Sequence, residues 1–125
     1  MSQQLRFTAE HEWVTEPNQD GAVRVGITDY AQKALGDIVF VQLPDVGAKL
    51  TAGDAIGEVE STKSVSDIYA PISGTVTARN DKLEQEPEIV NASPFDDGWL
   101  FEIEPDDVAD VAGLLDSEAY AKLTE

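Results

Sequence analysis

Few side chains in this sequence are equipped for catalysis. The chain contains one histidine, His11, and no cysteine. His11 lies between Glu10 and Glu12, so a histidine base oriented by a carboxylate is conceivable, but a structural or surface histidine is the simpler interpretation. The absence of cysteine excludes disulfides, thiolate catalysis and cysteine-based metal sites. A self-sufficient hydrolase using His11 therefore has no thiol nucleophile and no second histidine as partner base, and the residues give an enzyme little support.

The acidic and glycine-rich segments form no recognisable ligand motif. Asp96-Asp97 and Asp106-Asp107 lack the regular oxygen-ligand spacing of a calcium loop. No glycine-rich stretch continues into Lys and Ser or Thr at the spacing of a phosphate-binding loop. We therefore expect neither a metal site nor a nucleotide site, and we interpret the acidic pairs as solvated turns and helix caps.

Lys63 differs from the other lysines in its surroundings. It lies in the segment Ser61-Thr62-Lys63-Ser64, between two strand-like runs. Small hydroxyl residues on both sides of a lysine between strands predict a hairpin tip with an accessible amine, which a modifying enzyme requires. The position alone also fits a turn lysine that keeps a sheet edge soluble. The remaining lysines are Lys33, Lys49, Lys82 and Lys122.

Short strands and one short helix are predicted to position these residues. Residues 22–27 alternate between apolar and small or polar side chains, which is typical of a strand with one buried face. Thr28 can then cap a helix over residues 30–35 that Gly36 ends. Residues 38–43 are almost wholly apolar and stop at Pro44, so we predict a strand covered on both sides at the centre of the core.

The pattern changes from strand to helix near the C-terminus. Trp99, Phe101 and Ile103 alternate with residues 100 and 102, which predicts a further strand. Beyond Pro105 apolar residues recur at helical spacing, and a second short helix is predicted over Ser117–Leu123. Many short strands with terminal helices predict a mainly β fold, a small β-sandwich or flattened barrel with peripheral helices. The residues at helical spacing are Val108, Val111, Leu114 and Leu115, preceded by Asp106 and Asp107.

The charge balance limits the kinds of partner. The chain has 25 acidic and 8 basic residues, a formal net charge of −17. Such a field repels nucleic acid and anionic membranes and favours partners with basic docking faces. The apolar runs fall short of the ~20 residues of a membrane span, and the N-terminus lacks a signal-peptide core. We therefore expect a soluble, unprocessed protein.

Six segments, in order along the chain, resemble one known family. The residues that carry the resemblance are Glu10-His11-Glu12-Trp13-Val14, residues 25–32 (VGITDYAQ), residues 35–41 (LGDIVFV), residues 58–64 (EVESTKS), residues 66–74 (SDIYAPISG) and Asp97-Gly98-Trp99-Leu100. Over nearly its whole length the chain resembles the H proteins of the glycine cleavage system. That family more often has Val and Ala where this chain has Thr62 and Ser64. Both replacements are small, so we expect the lysine to remain a substrate for modification.

The resemblance implies a fold, a cofactor and a site. It implies a lipoyl-domain fold of the barrel-sandwich hybrid type and a single domain over 1–125, with a lipoyl-binding core at about 20–104 and a C-terminal helical segment at about 106–124. It implies that lipoic acid is amide-linked to Lys63. Glu12 and Asp67 would lie near the amine of the loaded arm, in a groove that shields it from water.

The resemblance also implies a carrier function without catalysis. Such a protein carries an aminomethyl group from glycine decarboxylase (P protein) to aminomethyltransferase (T protein), and dihydrolipoyl dehydrogenase (L protein) reoxidises it. A lipoate ligase or lipoyl transferase is the further partner, and we expect a monomer in a bacterial cytoplasm. Two alternatives stay open: a biotinyl carrier, although Met1 is the only methionine, and an unlipoylated interaction module.

Overall fold

Most of the chain forms two antiparallel sheets with short helices between and after the strands. The computed structural model describes residues 5–19 and 21–124; Met1, both ends of the predicted domain and the start of its predicted core at residue 20 lie outside them. The strands are β1 Arg6–Phe7, β2 Glu12–Val14, β3 Val23–Ile27, β4 Ile38–Gln42, β5 Lys49–Leu50, β6 Ala55–Ser61, β7 Val65–Tyr69, β8 Gly74–Arg79 and β9 Phe101–Pro105. The helices are α1 Asp29–Leu35, α2 Lys82–Gln85, α3 Ile89–Ala92, α4 Ala109–Ala112 and α5 Ser117–Leu123.

The hydrophobic core lies between the two sheets. The larger sheet has the strand order β1-β2-β3-β9-β8-β5, and the smaller has the order β4-β6-β7. Val25 and Phe101 of the larger sheet share one buried cluster with Val59 and Ile68 of the smaller. Burying these apolar side chains removes them from water and supplies the main driving force for joining the sheets. The predicted mainly β sandwich with peripheral and C-terminal helices is confirmed.

Local signals account for the segment from β3 to α1. Val23 and Val25 are fully buried, and Arg24 between them is partly exposed, as the alternation predicted. The Thr28 hydroxyl accepts a hydrogen bond from the Ala31 N–H at 3.2 Å and caps α1. Gly36 ends α1 with φ of +85°, a backbone conformation that favours glycine. The strand, the helix and both of its caps are confirmed.

The predicted environment of β4 is wrong. Ile38 and Val41 are buried, but Val39 and Phe40 are 52% and 46% exposed. β4 is an edge strand of the smaller sheet, and a register shift between Ile38 and Phe40 leaves one extra residue in it. Such a bulge breaks the alternation, so two consecutive side chains face solvent. An apolar run cannot show this, because it carries no information about the strand's place in the sheet.

The alternation from Trp99 to Ile103 predicted the buried positions of β9 but not its first residue. Phe101 and Ile103 are fully buried, although β9 begins only at Phe101. Trp99 lies before the strand, where its ring is covered by the Arg24 guanidinium at 4.3 Å. Because Arg24 also pairs with Glu102 at 2.9 Å, Trp99 is held at the sheet surface.

The first predicted C-terminal helix is short, whereas the second has the predicted bounds. α4 ends at Gly113, and Leu115 then leaves the helical path to exchange two backbone hydrogen bonds with Phe7, at 2.8 and 2.9 Å. The Asp116 side chain caps α5 by accepting from the Ala119 N–H at 2.8 Å. Within the described ranges, no helix has the length and apolar character needed to cross a bilayer.

Candidate functional site

Lys63 lies at the tip of the hairpin that joins β6 to β7. The Ser61 N–H donates to the Ser64 carbonyl at 2.8 Å and closes a two-residue loop. The Ser61 hydroxyl accepts from the N–H groups of Lys63 and Ser64 at 3.2 and 3.1 Å. Lys63 is exposed, and in the described part of the chain it forms no ion pair. The hairpin thus presents an accessible amine on a loop whose backbone is held by one serine.

The hairpin tip rests on the turn between α1 and β4. The Thr62 N–H donates to the Asp37 carbonyl at 3.0 Å. The aliphatic stem of Lys63 crosses Gly36 so closely that a Cβ at Gly36 would lie 2.9 Å from the lysine Cε. Glycine at this position therefore serves the positive φ and also leaves room for the stem of Lys63.

Asn91 in α3 fixes the turn at Gly36 through three side-chain hydrogen bonds. Its Nδ2 donates to the Gly36 carbonyl and to Gln32 Oε1, both at 2.9 Å, and its Oδ1 accepts from the Ile38 N–H at 2.9 Å. No pattern in the sequence predicted a role for Asn91. Its partners are more than fifty residues away in sequence, so no local pattern reports its role.

A groove of about 640 Å³ opens beside the far end of β7. Its lining includes Glu12 and Tyr69, and also Leu114 and Leu123 of the C-terminal region. Phe7 also contributes to the lining. The groove therefore brings strand β7 of the Lys63 hairpin together with β1 and α5.

Glu12 is a buried carboxyl group in this groove. It is 3% exposed; its Oε2 accepts from the Tyr69 N–H at 2.8 Å and its Oε1 from the Thr8 hydroxyl at 3.2 Å. Burial raises the pKa of Glu12 from 4.5 to about 7, and the negative charge of Glu10 adds to the rise, although the two hydrogen bonds oppose it. Near neutral pH this group can change its charge, and a cation in the groove would favour its ionised form.

A tight turn presents Glu12 to the groove. The Thr8 N–H donates to the Glu12 carbonyl at 2.9 Å, and the His11 N–H donates to the Thr8 carbonyl at 3.1 Å. His11 adopts φ of +67°, which is uncommon for a residue with a side chain. Its Nδ1 lies 2.8 Å from the Tyr120 hydroxyl, whereas the Glu12 carboxylate is bonded to Thr8 and Tyr69. The structure thus gives His11 a structural contact and does not form the carboxylate-oriented base considered from the sequence.

Asp67 lies on the same strand as Tyr69 but outside the lining of the groove, as far as the described residues define it. Its side chain is exposed, and it faces Glu58 across the β6–β7 pair. Alternation along β7 places Asp67 on the same side of the strand as Tyr69, two residues nearer to Lys63. The hydrogen bond from the Tyr69 N–H therefore connects Glu12 to strand β7 of the hairpin. Asp67 lies on that strand between Tyr69 and Lys63.

The groove and the Lys63 hairpin both lie within the part of the chain that matches a known family. The model described as Glycine cleavage H-protein matches residues 5–125. This chain belongs to the glycine cleavage H-protein family. The resemblance seen in the six sequence segments is confirmed.

Individual members of the glycine cleavage H-protein family are similar over almost the full chain. A glycine cleavage system H protein of Micrococcus luteus is 62% identical over 120 residues, covering 96% of this chain and 94% of that protein. The H protein of Mycobacterium avium is 60% identical over 126 residues, covering 97% and 95%. The crystal structure of the H protein from Mycobacterium marinum matches with a TM-score of 0.89 and 42% identity, covering 99% of this chain and 98% of that chain. The predicted lipoyl-domain type of fold is thereby confirmed.

Proposed function

We propose that this protein is the lipoyl carrier of a glycine cleavage system, with lipoic acid amide-linked to the Lys63 amine. The observation that carries the proposal is the exposed Lys63 at the tip of a braced hairpin in a chain of this family. A carrier lysine must be accessible to its modifying enzyme and held in a defined place. The Ser61 loop and the Gly36 turn meet these two requirements.

The residues around Lys63 fit an amide-linked acyl chain. Thr62 and Ser64 are small and exposed, so no large side chain crowds the amine. When bound, the lipoyl group would supply the two sulfur atoms for redox and group-transfer chemistry that a cysteine-free chain cannot perform. The protein contributes the tether, which raises the effective concentration of the arm in a docked active site to the order of millimolar.

The groove beside β7 suits the charged end of an aminomethyl cargo. Val65 and Tyr69 are about 14 Å apart at ~3.4 Å per residue, and a lysine side chain extended by the lipoyl acyl chain is of comparable length. Glu12, buried at the end of this path, would accept hydrogen bonds from the ammonium and pair with its charge. The apolar wall that includes Leu114 would keep bulk water from the cargo. Asp67 would attract the ammonium at the approach to the groove.

The surface supports docking to several enzymes in turn. The partners we propose are glycine decarboxylase, aminomethyltransferase, dihydrolipoyl dehydrogenase and a lipoate ligase or transferase. The net charge of −17 favours fast, salt-sensitive encounters with basic faces. Val39, Phe40 and Val65 near the hairpin are about half exposed and add apolar contact area. Short-lived complexes of this kind suit a carrier that must release each partner.

The attachment site is tested by intact mass and peptide mapping after expression with lipoate and a lipoate ligase. We expect one lipoyl-sized increment on the peptide that contains Lys63. Lys63→Arg should lose the increment, and Lys49→Arg, which alters another exposed lysine, should keep it. If no increment appears under conditions that modify a known lipoyl domain, the proposal is wrong and an unlipoylated interaction module becomes the better interpretation.

The role of Asp67 has its own test. We expect Asp67→Asn to shorten the hydrolytic lifetime of the aminomethyl-loaded arm, because the variant removes a negative charge on the approach to Glu12. Glu58→Gln removes the charge directly across the strand pair and serves as the matched control. An unchanged lifetime in Asp67→Asn would remove that residue from the proposed groove.

A further inference from the structure

Tyr120 links the C-terminal helix to the turns that frame the groove. Its hydroxyl lies 2.8 Å from His11 Nδ1 and 2.8 Å from Thr28 Oγ1. One hydroxyl can donate one hydrogen bond and accept another, so both contacts can form together. Tyr120 and Thr28 are both buried. Tyr120 is therefore the point at which α5 is fastened to the start of α1 and to the turn before Glu12.

The ring of Tyr120 packs against Phe7, which lines the groove. It stacks on Phe7 with a centroid distance of 4.6 Å and an interplanar angle of 9°. Phe7 exchanges two backbone hydrogen bonds with Leu115, and both residues line the groove. Leu123, three residues after Tyr120 in α5, lines it as well. A displacement of α5 would therefore move the part of the groove lining formed by Phe7, Leu115 and Leu123.

The turn that carries Glu12 depends on the same contact. His11 directly precedes Glu12 and is held in a left-handed conformation, which persists only when its surroundings fix it. Its ring is hydrogen-bonded to Tyr120 and lies against the Tyr30 ring at a centroid distance of 4.6 Å and an interplanar angle of 33°. The Tyr120 bond therefore holds the His11 ring, while the His11 backbone donates to Thr8 and accepts from Thr28. Loss of this bond would loosen the residue that directly precedes Glu12.

We propose that Tyr120 is a positioning residue for the loaded arm: its hydroxyl keeps the C-terminal wall closed and keeps Glu12 where the ammonium of the cargo arrives. The proposal rests on the proposed carrier function. Its structural part, the closure of the groove by Tyr120, belongs to the polypeptide alone and can be tested without lipoate.

The test compares Tyr120→Phe with the unaltered full chain, both unlipoylated. The variant removes the hydroxyl and keeps the ring on Phe7. We expect hydrogen exchange of the Leu115 N–H to become about tenfold faster, since the loss of a buried hydrogen bond favours local opening by about that factor. In a ¹³C NMR titration the midpoint of the Glu12 carboxyl group should move from about 7 towards its ordinary value of 4.5. Tyr30→Phe removes a hydroxyl from the same group of rings and should leave both measurements unchanged.

A second comparison uses the lipoylated and aminomethyl-loaded protein. We expect its hydrolytic lifetime to fall several-fold in Tyr120→Phe, and Glu12→Gln serves as the reference that removes the charge itself. If Tyr120→Phe lowers thermal stability but leaves Leu115 exchange, the Glu12 midpoint and the lifetime unchanged, Tyr120 is merely structural and the proposal is overturned. Should that variant fail to fold, His11→Gly, which keeps the left-handed backbone and removes the ring, takes its place with the same expectations.

The two proposals fail in different ways. A chain that gains no lipoyl group at Lys63 overturns the carrier function, while the exchange and titration measurements still decide the role of Tyr120. A Glu12→Gln variant with an unchanged lifetime overturns the groove as the site of the cargo, and with it the functional part of the Tyr120 proposal.

Discussion

The buried carboxyl group of Glu12 should make the stability of this protein depend on pH in a defined direction. Its pKa rises from 4.5 to about 7 in the folded chain. At about 1.4 kcal/mol per pKa unit, this rise corresponds to about 3 kcal/mol. Glu12 is 3% exposed, so solvent screening removes little of that effect. Glu12→Gln should be free of it, because the Gln amide oxygen can accept from the Tyr69 N–H and the side chain does not ionise.

The direction of this pH dependence follows from whether the folded or the unfolded chain binds the Glu12 proton more tightly. Between about pH 4.5 and 7 the unfolded chain loses the Glu12 proton while the folded chain retains it, so the contribution of Glu12 to the free energy of unfolding falls as the pH rises. The contribution is fully present below the unfolded pKa and is lost once the pH passes the folded pKa. The stability of Glu12→Gln relative to the unaltered protein should therefore increase by about 3 kcal/mol from pH 4 to pH 8.

Urea unfolding at several pH values measures this difference. The buried Trp13 supplies the fluorescence signal, and the other carboxylates cancel when the variant is compared with the unaltered chain. Glu104→Gln, at an exposed position of β9, is the matched control and should show no pH-dependent difference. A difference between Glu12→Gln and the unaltered protein that stays constant within about 0.5 kcal/mol from pH 4 to pH 8 would refute the reasoning, because it would mean that Glu12 titrates alike in both states.

Two further predictions concern packing and the hairpin. In Gly26→Ala the new Cβ would overlap the Trp13 ring, so the indole must shift from its 2.8 Å bond to the Pro94 carbonyl. We expect a loss of about 3 kcal/mol in the free energy of unfolding, measured with urea. A loss below about 1 kcal/mol would contradict the packing. Ser61→Ala removes the acceptor for two N–H groups of the Lys63 loop. Its global stability should change by less than about 1 kcal/mol, but ligase-catalysed lipoylation should slow about fivefold as the loop loses order. The Ser64 hydroxyl forms no hydrogen bond within the described residues. Ser64→Ala should therefore be modified at the normal rate.

The sequence alone determined the features that depend on neighbouring residues. Thr28 and Gly36 mark the ends of α1 because a cap acts within one helical turn. The alternation at residues 23–27 predicted a half-buried strand because successive side chains point to opposite faces. Lys63 lies among small hydroxyl residues between two strand-like runs, and this local pattern predicted a hairpin tip. The six segments together determined the family.

Only the tertiary structure decided which side chains meet across the chain. β4 is apolar along its length, yet its position at a sheet edge and its bulge expose Val39 and Phe40. Glu12 resembles an ordinary acidic residue until the fold buries it against Tyr69, 57 residues away. His11 and Tyr120 are separated by 109 residues, and their hydrogen bond exists only because α5 returns to the first strands. Burial, pKa and long-range hydrogen bonds depend on which segments the folded chain brings together, and local sequence patterns carry no record of that pairing.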